Sequence, residues 1–241
     1  MGMIYKKKIN LKFFKKWSPE MAYILGYITA DGCLIKRKDR KNSWVLNITS
    51  KDKYHLKNLR RSMDSNYEIS PKNNGRGDIS YQLQISYLEI CQDVRALGIH
   101  PRKTFTLKPI KVPNRFFPDF VRGYFDADGT VYIYMVNNTL QIKASFVSCS
   151  FTFIAEFNQR LCKSLGVIPK SIHRDHPDKR SIRYSIYFYI DDCQKLAAFM
   201  YKNKPSLHLF RKCRIFEKWA SIKRRGYIKN NYPSKVGWQL N

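Results

Sequence analysis

The stretch GYITADG, from Gly26 to Gly32, is written again with two changes as GYFDADG, from Gly123 to Gly129. Asp128 follows Asp31 by 97 residues, and each acid is followed directly by a glycine. A single Asp-Gly reads most simply as a turn. A repeated one, with matched small residues ahead of it, calls for a shared structural reason. Ser18-Pro19-Glu20 opens the first copy as a helix should, with a capping hydroxyl, proline at the first position and an early acid. Pro118-Asp119 promises nearly the same start for the second. Counting by fours aligns Ala22, Gly26 and Ala30 in one copy, and Gly123 and Ala127 in the other. A glycine inside a helix costs about 1 kcal/mol against alanine. Its place in both copies points to two helix backbones in close approach, with Ala22, Gly26 and Gly123 at the interface.

Helices packed along that strip bring Asp31 and Asp128 out together at their C-terminal ends. The helix end is partly negative and the two acids repel, so each carboxylate is placed against a local rule. Mg²⁺, which commonly uses one or two carboxylates with phosphate oxygens and water, would relieve the repulsion. An EF-hand loop does not fit, because glycine follows the second Asp of DADG directly and no Glu stands at the twelfth position.

What surrounds the repeats is also doubled. Each is followed by a strand-like run (CLIKRK, TVYIYMV), a second alternating run, a helix pattern (KYHLKNLRRSM, FIAEFNQRLCKSLGV), a hairpin strand (SYQLQISY, RSIRYSIYFYI) and a further apolar helix. The expected fold is therefore α+β, with two pseudo-twofold αββαββα-type halves whose antiparallel sheets form a saddle. The expected boundaries are a basic N-terminal arm over 1–17, a first half over 18–108, a proline-rich linker over 109–118, a second half over 119–222 and a basic tail over 223–241.

The partner is suggested by charge. The chain has 45 Lys+Arg against 18 Asp+Glu, a net charge of +27, spread along its length. No apolar run approaches the roughly 18 residues of a membrane span, so a nucleic acid is the expected polyanion and no membrane is expected. The six scattered cysteines show no CxxC pair and read as reduced thiols. On the strands, Gln82 and Gln84 alternate with apolar residues, as do Gln141, Lys143, Arg183 and Tyr187. Lys36, Arg37, Lys38, Tyr132 and Tyr134 extend the same surface on the first strand of each half. A solvated sheet face explains any one strand. The same pattern in both halves favours sheets lying in the major groove, where such side chains read base edges. The cluster HRDH, His173 to His176, reads as a loop with phosphate contacts.

On the motifs ILGYITADG (Ile24 to Gly32) and VRGYFDADG (Val121 to Gly129), alike at five of nine positions, the chain resembles the single-chain, two-motif LAGLIDADG homing endonucleases. PRKT (Pro101 to Thr104) and FRKCRIFEKW (Phe210 to Trp219) look like family segments as well. The resemblance implies a monomer that hydrolyses one phosphodiester in each strand of double-stranded DNA, across the minor groove, at an asymmetric site of about 20 base pairs read in the major groove. It implies no required protein partner. Asp31 and Asp128 would bind the metals with the main-chain carbonyls of Ala30 and Ala127. Lys103 and Lys212, with Arg211 as a further candidate, would stand near the scissile phosphates, and Ser50 and Ser150 would help hold the attacking water. Mg²⁺ is the expected metal, Mn²⁺ a substitute, and Ca²⁺ an ion that supports binding without cleavage. The motif's sixth position differs, Thr29 against Asp126, without touching the metal ligand. The expected location is the cytoplasm or nucleoid of a prokaryote, or an organelle matrix. An RNA maturase that prefers structured RNA, and a DNA-binding regulator without cleavage, are the competing readings. Regulators usually lose a motif acid, and this chain keeps both.

Overall fold

The computed structural model describes residues 7–37, 43–73, 78–178, 181–202 and 205–224. Lys38 and the tail from Arg225 onward lie outside the described residues. The first half runs α1 (Pro19–Asp31), β1 (Gly32–Lys36), β2 (Trp44–Ser50), α2 (Lys53–Ser62), β3 (Ile69–Asn73), β4 (Ile79–Ile85) and α3 (Leu88–Ala96). The second runs α4 (Phe117–Asp128), β5 (Thr130–Val136), β6 (Thr139–Ser148), α5 (Phe151–Leu165), β7 (His173–Asp178), β8 (Ser181–Tyr189), α6 (Ile190–Tyr201) and α7 (Phe210–Arg224). Each half makes one antiparallel four-stranded sheet, ordered β1-β2-β4-β3 and β5-β6-β8-β7. The expected architecture is present. α7 has no helical counterpart in the first half, where Pro101 to Thr106 form turns instead.

The halves meet through α1 and α4, and the reason is steric. A Cβ placed on Gly26 would overlap the Phe120 carbonyl oxygen, and one on Gly123 would overlap the Tyr23 carbonyl oxygen. Each glycine thus admits the backbone of the opposite helix, and Ala22, one turn before Gly26, is fully buried. Around this contact packs a continuous core from both halves, including Leu46, Ile48, Leu83 and Ile85 from one sheet and Ile142, Phe146, Ile186 and Phe188 from the other. Burying such aliphatic and aromatic side chains stabilises the fold by about 1.5–3 kcal/mol each.

Several local expectations need correction. Ser18 caps α1 as expected, its Oγ accepting the Met21 N–H at 3.1 Å. α4, however, starts one residue before Pro118 on a short 3₁₀ turn over Asn114–Phe116, with no side-chain cap. Asp119 instead accepts from the buried Arg122 at 2.7 Å. Residues 7–17 are not a free arm. Ile9, Phe13 and Phe14 are buried, Asn10 N–H donates to Met63 O, and Asn66 N–H donates to Lys8 O. Lys8 and Lys15 form ion pairs with Asp64 and Asp93. HRDH is no loop, since its residues form β7, where His173 packs on Tyr187 and Asp175 accepts from Ser185 at 2.9 Å. Alternating charges hid the strand period there. Among the described residues no helix is long and apolar enough to cross a membrane.

Candidate active site

Asp31 and Asp128 are the last residues of α1 and α4, and β1 and β5 begin on the glycines that follow. Those glycines are needed for space, because a Cβ on Gly32 would crowd Ile28 and one on Gly129 would crowd Phe125. The Gly129 N–H closes its helix on Phe125 O at 2.8 Å, and the chain then leaves directly as a strand. Gly26 and Gly123 bring the two helices together, so the acids emerge from adjoining helix ends with a sheet leading away from each.

Both carboxylates reach solvent, yet protein encloses them on their other sides. That burial raises the Asp128 pKa to about 6, with repulsion from Asp31 adding to it and Lys212, Arg183 and Lys103 opposing it. Burial also raises Asp31, against the pull of Lys212 and Lys103. The two acids therefore repel at neutral pH and are partly compensated by lysines.

The lysines are placed alike. Lys103, from the turn after α3, donates to Thr29 O at 2.7 Å and Ala30 O at 3.3 Å. Lys212, from α7, donates to Phe125 O at 2.7 Å, Asp126 O at 2.9 Å and Gly129 O at 2.6 Å. Each amine is buried on the carbonyls of one helix end, where its charge offsets the negative end of the helix. Burial lowers both pKa values, that of Lys212 to about 8, while the neighbouring acids act to raise them.

The serine pair changes. Counting along the chain matches Ser50 with Ser150, but hydrogen bonding matches Ser50 with Ser148. Ser50 Oγ accepts the Asp52 N–H, and Ser148 Oγ accepts the Ser150 N–H, each at 3.1 Å. Asp52 and Ser150 are then the caps of α2 and α5. Ser150 is buried and donates to Leu107 O at 2.7 Å. Ser50 lines an open cleft of about 670 Å³ with Asp31, Tyr27, Lys51, Asp52, Lys53 and Arg211.

Sequence reasoning missed how the second motif holds α7. Asp126 Oδ2 accepts from Tyr23 Oη and from the Leu209 N–H, both at 2.7 Å, and Tyr23 Oη lies 3.0 Å from His55 Nε2. Burial lowers His55 to about 4, so this ring is neutral near pH 7. Arg122 donates to Leu207 O and Met200 O, each at 2.8 Å. Asp126 and Arg122 thereby fasten the segment that delivers Lys212. Their motif counterparts, Thr29 and Leu25, cannot do so; Thr29 instead donates to Leu25 O.

The outward sheet faces carry the expected polar residues. Gln84, Tyr132 and Arg183, with Lys36 and Arg37, are exposed, while Gln82, Tyr134, Gln141, Lys143 and Tyr187 are half-buried. Tyr132 pairs across with Lys143, and Tyr134 with Gln141, so these four share one face. Lys143 Nζ sits 3.7 Å over the Tyr187 ring.

With this geometry in place, comparison with known proteins is informative. Residues 18–96 match the family model of the LAGLIDADG-like domain. The uncharacterized protein MJ0398 of Methanocaldococcus jannaschii is 24% identical over 189 residues, covering 75% of this chain. The chain spans 61% of that curated relative's length. Among solved structures, the meganuclease I-SmaMI bound to uncleaveable DNA aligns at a TM-score of 0.57 with 13% identity, covering 86% of this chain and 89% of that one. The LAGLIDADG homing endonuclease I-GzeII in complex with its DNA target aligns at 0.55 with 9% identity, covering 87% and 90%. The homing endonuclease I-WcaI on its DNA recognition sequence aligns at 0.51 with 16% identity, covering 85% and 90%. At these identities the structural likeness establishes the fold.

Proposed function

We propose, from its likeness to the two-motif LAGLIDADG proteins, that this chain is a monomeric, divalent-metal-dependent endonuclease that cuts both strands of an asymmetric DNA site. The observation that carries this reading is the pair of carboxylates, Asp31 and Asp128, held together at adjoining helix ends and backed by the buried amines of Lys103 and Lys212. A pure binding protein has no need of two repelling acids beside the phosphate path.

The donor set suits Mg²⁺. Asp31 and Asp128 offer only carboxylate oxygens, the hard donors Mg²⁺ takes, and both reach solvent, where phosphate oxygens and water can complete its shell. Asp31 and Asp128 would hold the ion, with the Ala30 and Ala127 carbonyls beside them. When bound, the metal lowers the pKa of a water and neutralises charge on the scissile phosphate. Lys103 and Lys212 keep the two acids tolerable in one place and add positive charge near the reacting phosphates. Ser50 offers a hydroxyl in the cleft beside Asp31, where it can orient water. The +27 charge and the outward Gln, Lys, Arg and Tyr side chains supply backbone affinity and base contacts. Asymmetry of the target follows from the unlike side chains of the two sheets.

Lys212→Met is expected to lower the cleavage rate about 100-fold, while Lys212→Arg recovers part of the loss. Single-turnover cleavage with protein in excess checks this. The acid limb of the pH profile follows from Asp128: holding a cation requires the ionised form, and without metal its pKa is raised to about 6, so with Mg²⁺ present cleavage falls as pH drops below that value. Raising Mg²⁺ should move that limb to lower pH, because metal and proton compete for one carboxylate. A limb that ignores metal concentration would separate Asp128 from metal binding. The reading as a whole is tested by cleavage of duplex DNA in Mg²⁺. Salt-sensitive binding without cleavage, with preference for structured RNA, would move the function to an RNA maturase.

A further inference from the structure

Tyr27 and Tyr124 follow the two interface glycines and stand one helical turn before Asp31 and Asp128, on the helix face of the acid that each precedes. Both are only 2% exposed, so each phenol hydroxyl must find its partners inside the protein. Tyr124 Oη donates to Val147 O at 2.7 Å, beside Ser148 at the end of β6. The Tyr124 ring stacks on Phe146 with centroids 6.3 Å apart, and Ser148 shares a strand face with Phe146, so the serine hydroxyl is turned toward the phenol. Burial and then the Asp128 charge raise the Tyr124 pKa, and a hydrogen bond from Ser148 opposes them. Burial and then Asp128 also raise the thiol of Cys149, the residue after Ser148, so this strand end lies within reach of the acid's charge.

The first half repeats the pairing. Register supports the match: the residue two after each acid, Cys33 or Thr130, faces the residue three before each serine, Asn47 or Ser145. Tyr27 is raised by burial against a Ser50 hydrogen bond, and both line the cleft of Asp31. In the second half the sense of the chain is fixed, because a carbonyl oxygen only accepts. Tyr124 gives its proton to Val147 O and takes a hydrogen bond from Ser148, whose own proton is thereby turned inward. Ser148 Oγ also accepts the Ser150 N–H at 3.1 Å. One acceptor lone pair is left on it, and no donor.

Resting on the endonuclease reading, we propose that Tyr124 is a positioning residue: it keeps the Ser148 proton turned inward, so that Ser148 Oγ only accepts a hydrogen bond from the water that attacks the phosphate beside Asp128. The water is then held by one of its O–H bonds, with an oxygen lone pair free to face phosphorus, and the serine takes no proton. A serine free to rotate would also donate to the water oxygen and occupy the lone pair that the attack needs.

The test follows the two strands of the selected duplex separately, under single turnover in Mg²⁺, with the full chain, Tyr124→Phe, Ser148→Ala and the double variant. Tyr124→Phe keeps the ring and loses the hydroxyl. It should slow one strand about tenfold and the other less than about twofold, with duplex binding in Ca²⁺ unchanged. Ser148→Ala should act alike, and the double variant should cut no more slowly than Ser148→Ala, because the phenol acts only through that serine. Thermal unfolding in chelator, without DNA, should show the same coupling, the double variant losing less than the two single losses together. Full-chain rates in Tyr124→Phe, equal slowing of both strands, or single losses that multiply in the double variant would overturn the positioning role and leave the endonuclease reading standing. Failure of the full chain to cut any duplex would instead remove the endonuclease reading and the positioned water with it.

Discussion

Asp128→Asn is expected to abolish the proposed double-strand cleavage and, without metal, to make the protein more stable above neutral pH. The first effect follows from the donor set, since an amide is a weak ligand for Mg²⁺ and, among the described residues, no third acid joins Asp31 and Asp128 in a group placed to hold a metal. The second follows from the cost of the charge. Burial and Asp31 raise the Asp128 pKa from its ordinary 3.8 to about 6. For an acid raised in the folded state, stability is fullest below the ordinary value and is lost as pH rises through the folded value. Removing the charge should therefore raise the melting temperature at pH 8 and leave it nearly unchanged at pH 4. Discounted for the solvent that reaches the carboxylate, the gain is about 1 kcal/mol. Thermal unfolding of both proteins in chelator at the two pH values reads it directly. A variant that still cuts both strands, or that loses stability at pH 8, would contradict the assignment.

The second large effect is steric. Gly123→Val places side-chain atoms where the Tyr23 carbonyl now sits, and backbone on the facing helix cannot move aside as a flexible side chain could. The expected loss is about 3 kcal/mol or more, because overpacking here forces apart the helices that join the two halves. Gly26→Val should act alike through Phe120. Substitution of Gly166, which has open space around it, should cost less, the expense there being its left-handed backbone, φ 62°. Denaturant unfolding supplies the comparison. A change within about 0.5 kcal/mol at Gly123, the range of neutral surface substitutions, would mean that α1 and α4 do not meet along this strip.

Much of this was readable because the signals are local. The glycines repeat at helical spacing, and the hairpins alternate with period two, so the helix pair, both sheets and the position of the acids follow from neighbours in the chain. The parts that stayed hidden depend on distant partners or on small shifts. Nothing near Asp126 in sequence says that Tyr23, 103 residues away, and the Leu209 N–H will meet it. Ser150 was matched to Ser50 by counting, which cannot tell the last residue of a strand from the helix cap two residues later. β7 was missed because charged residues occupy both of its faces. Lys103 and Lys212 stand out only by family resemblance, since their buried amines find their carbonyls more than 70 residues away.

The most direct measurement is selection of cleaved products from a randomised duplex library in Mg²⁺, with an Asp31→Asn/Asp128→Asn variant alongside. One long asymmetric sequence with staggered ends, enriched by the natural chain and absent with the variant, is the predicted result. Equal products from both proteins, or none from either despite salt-sensitive binding, would contradict an active site built on these two acids.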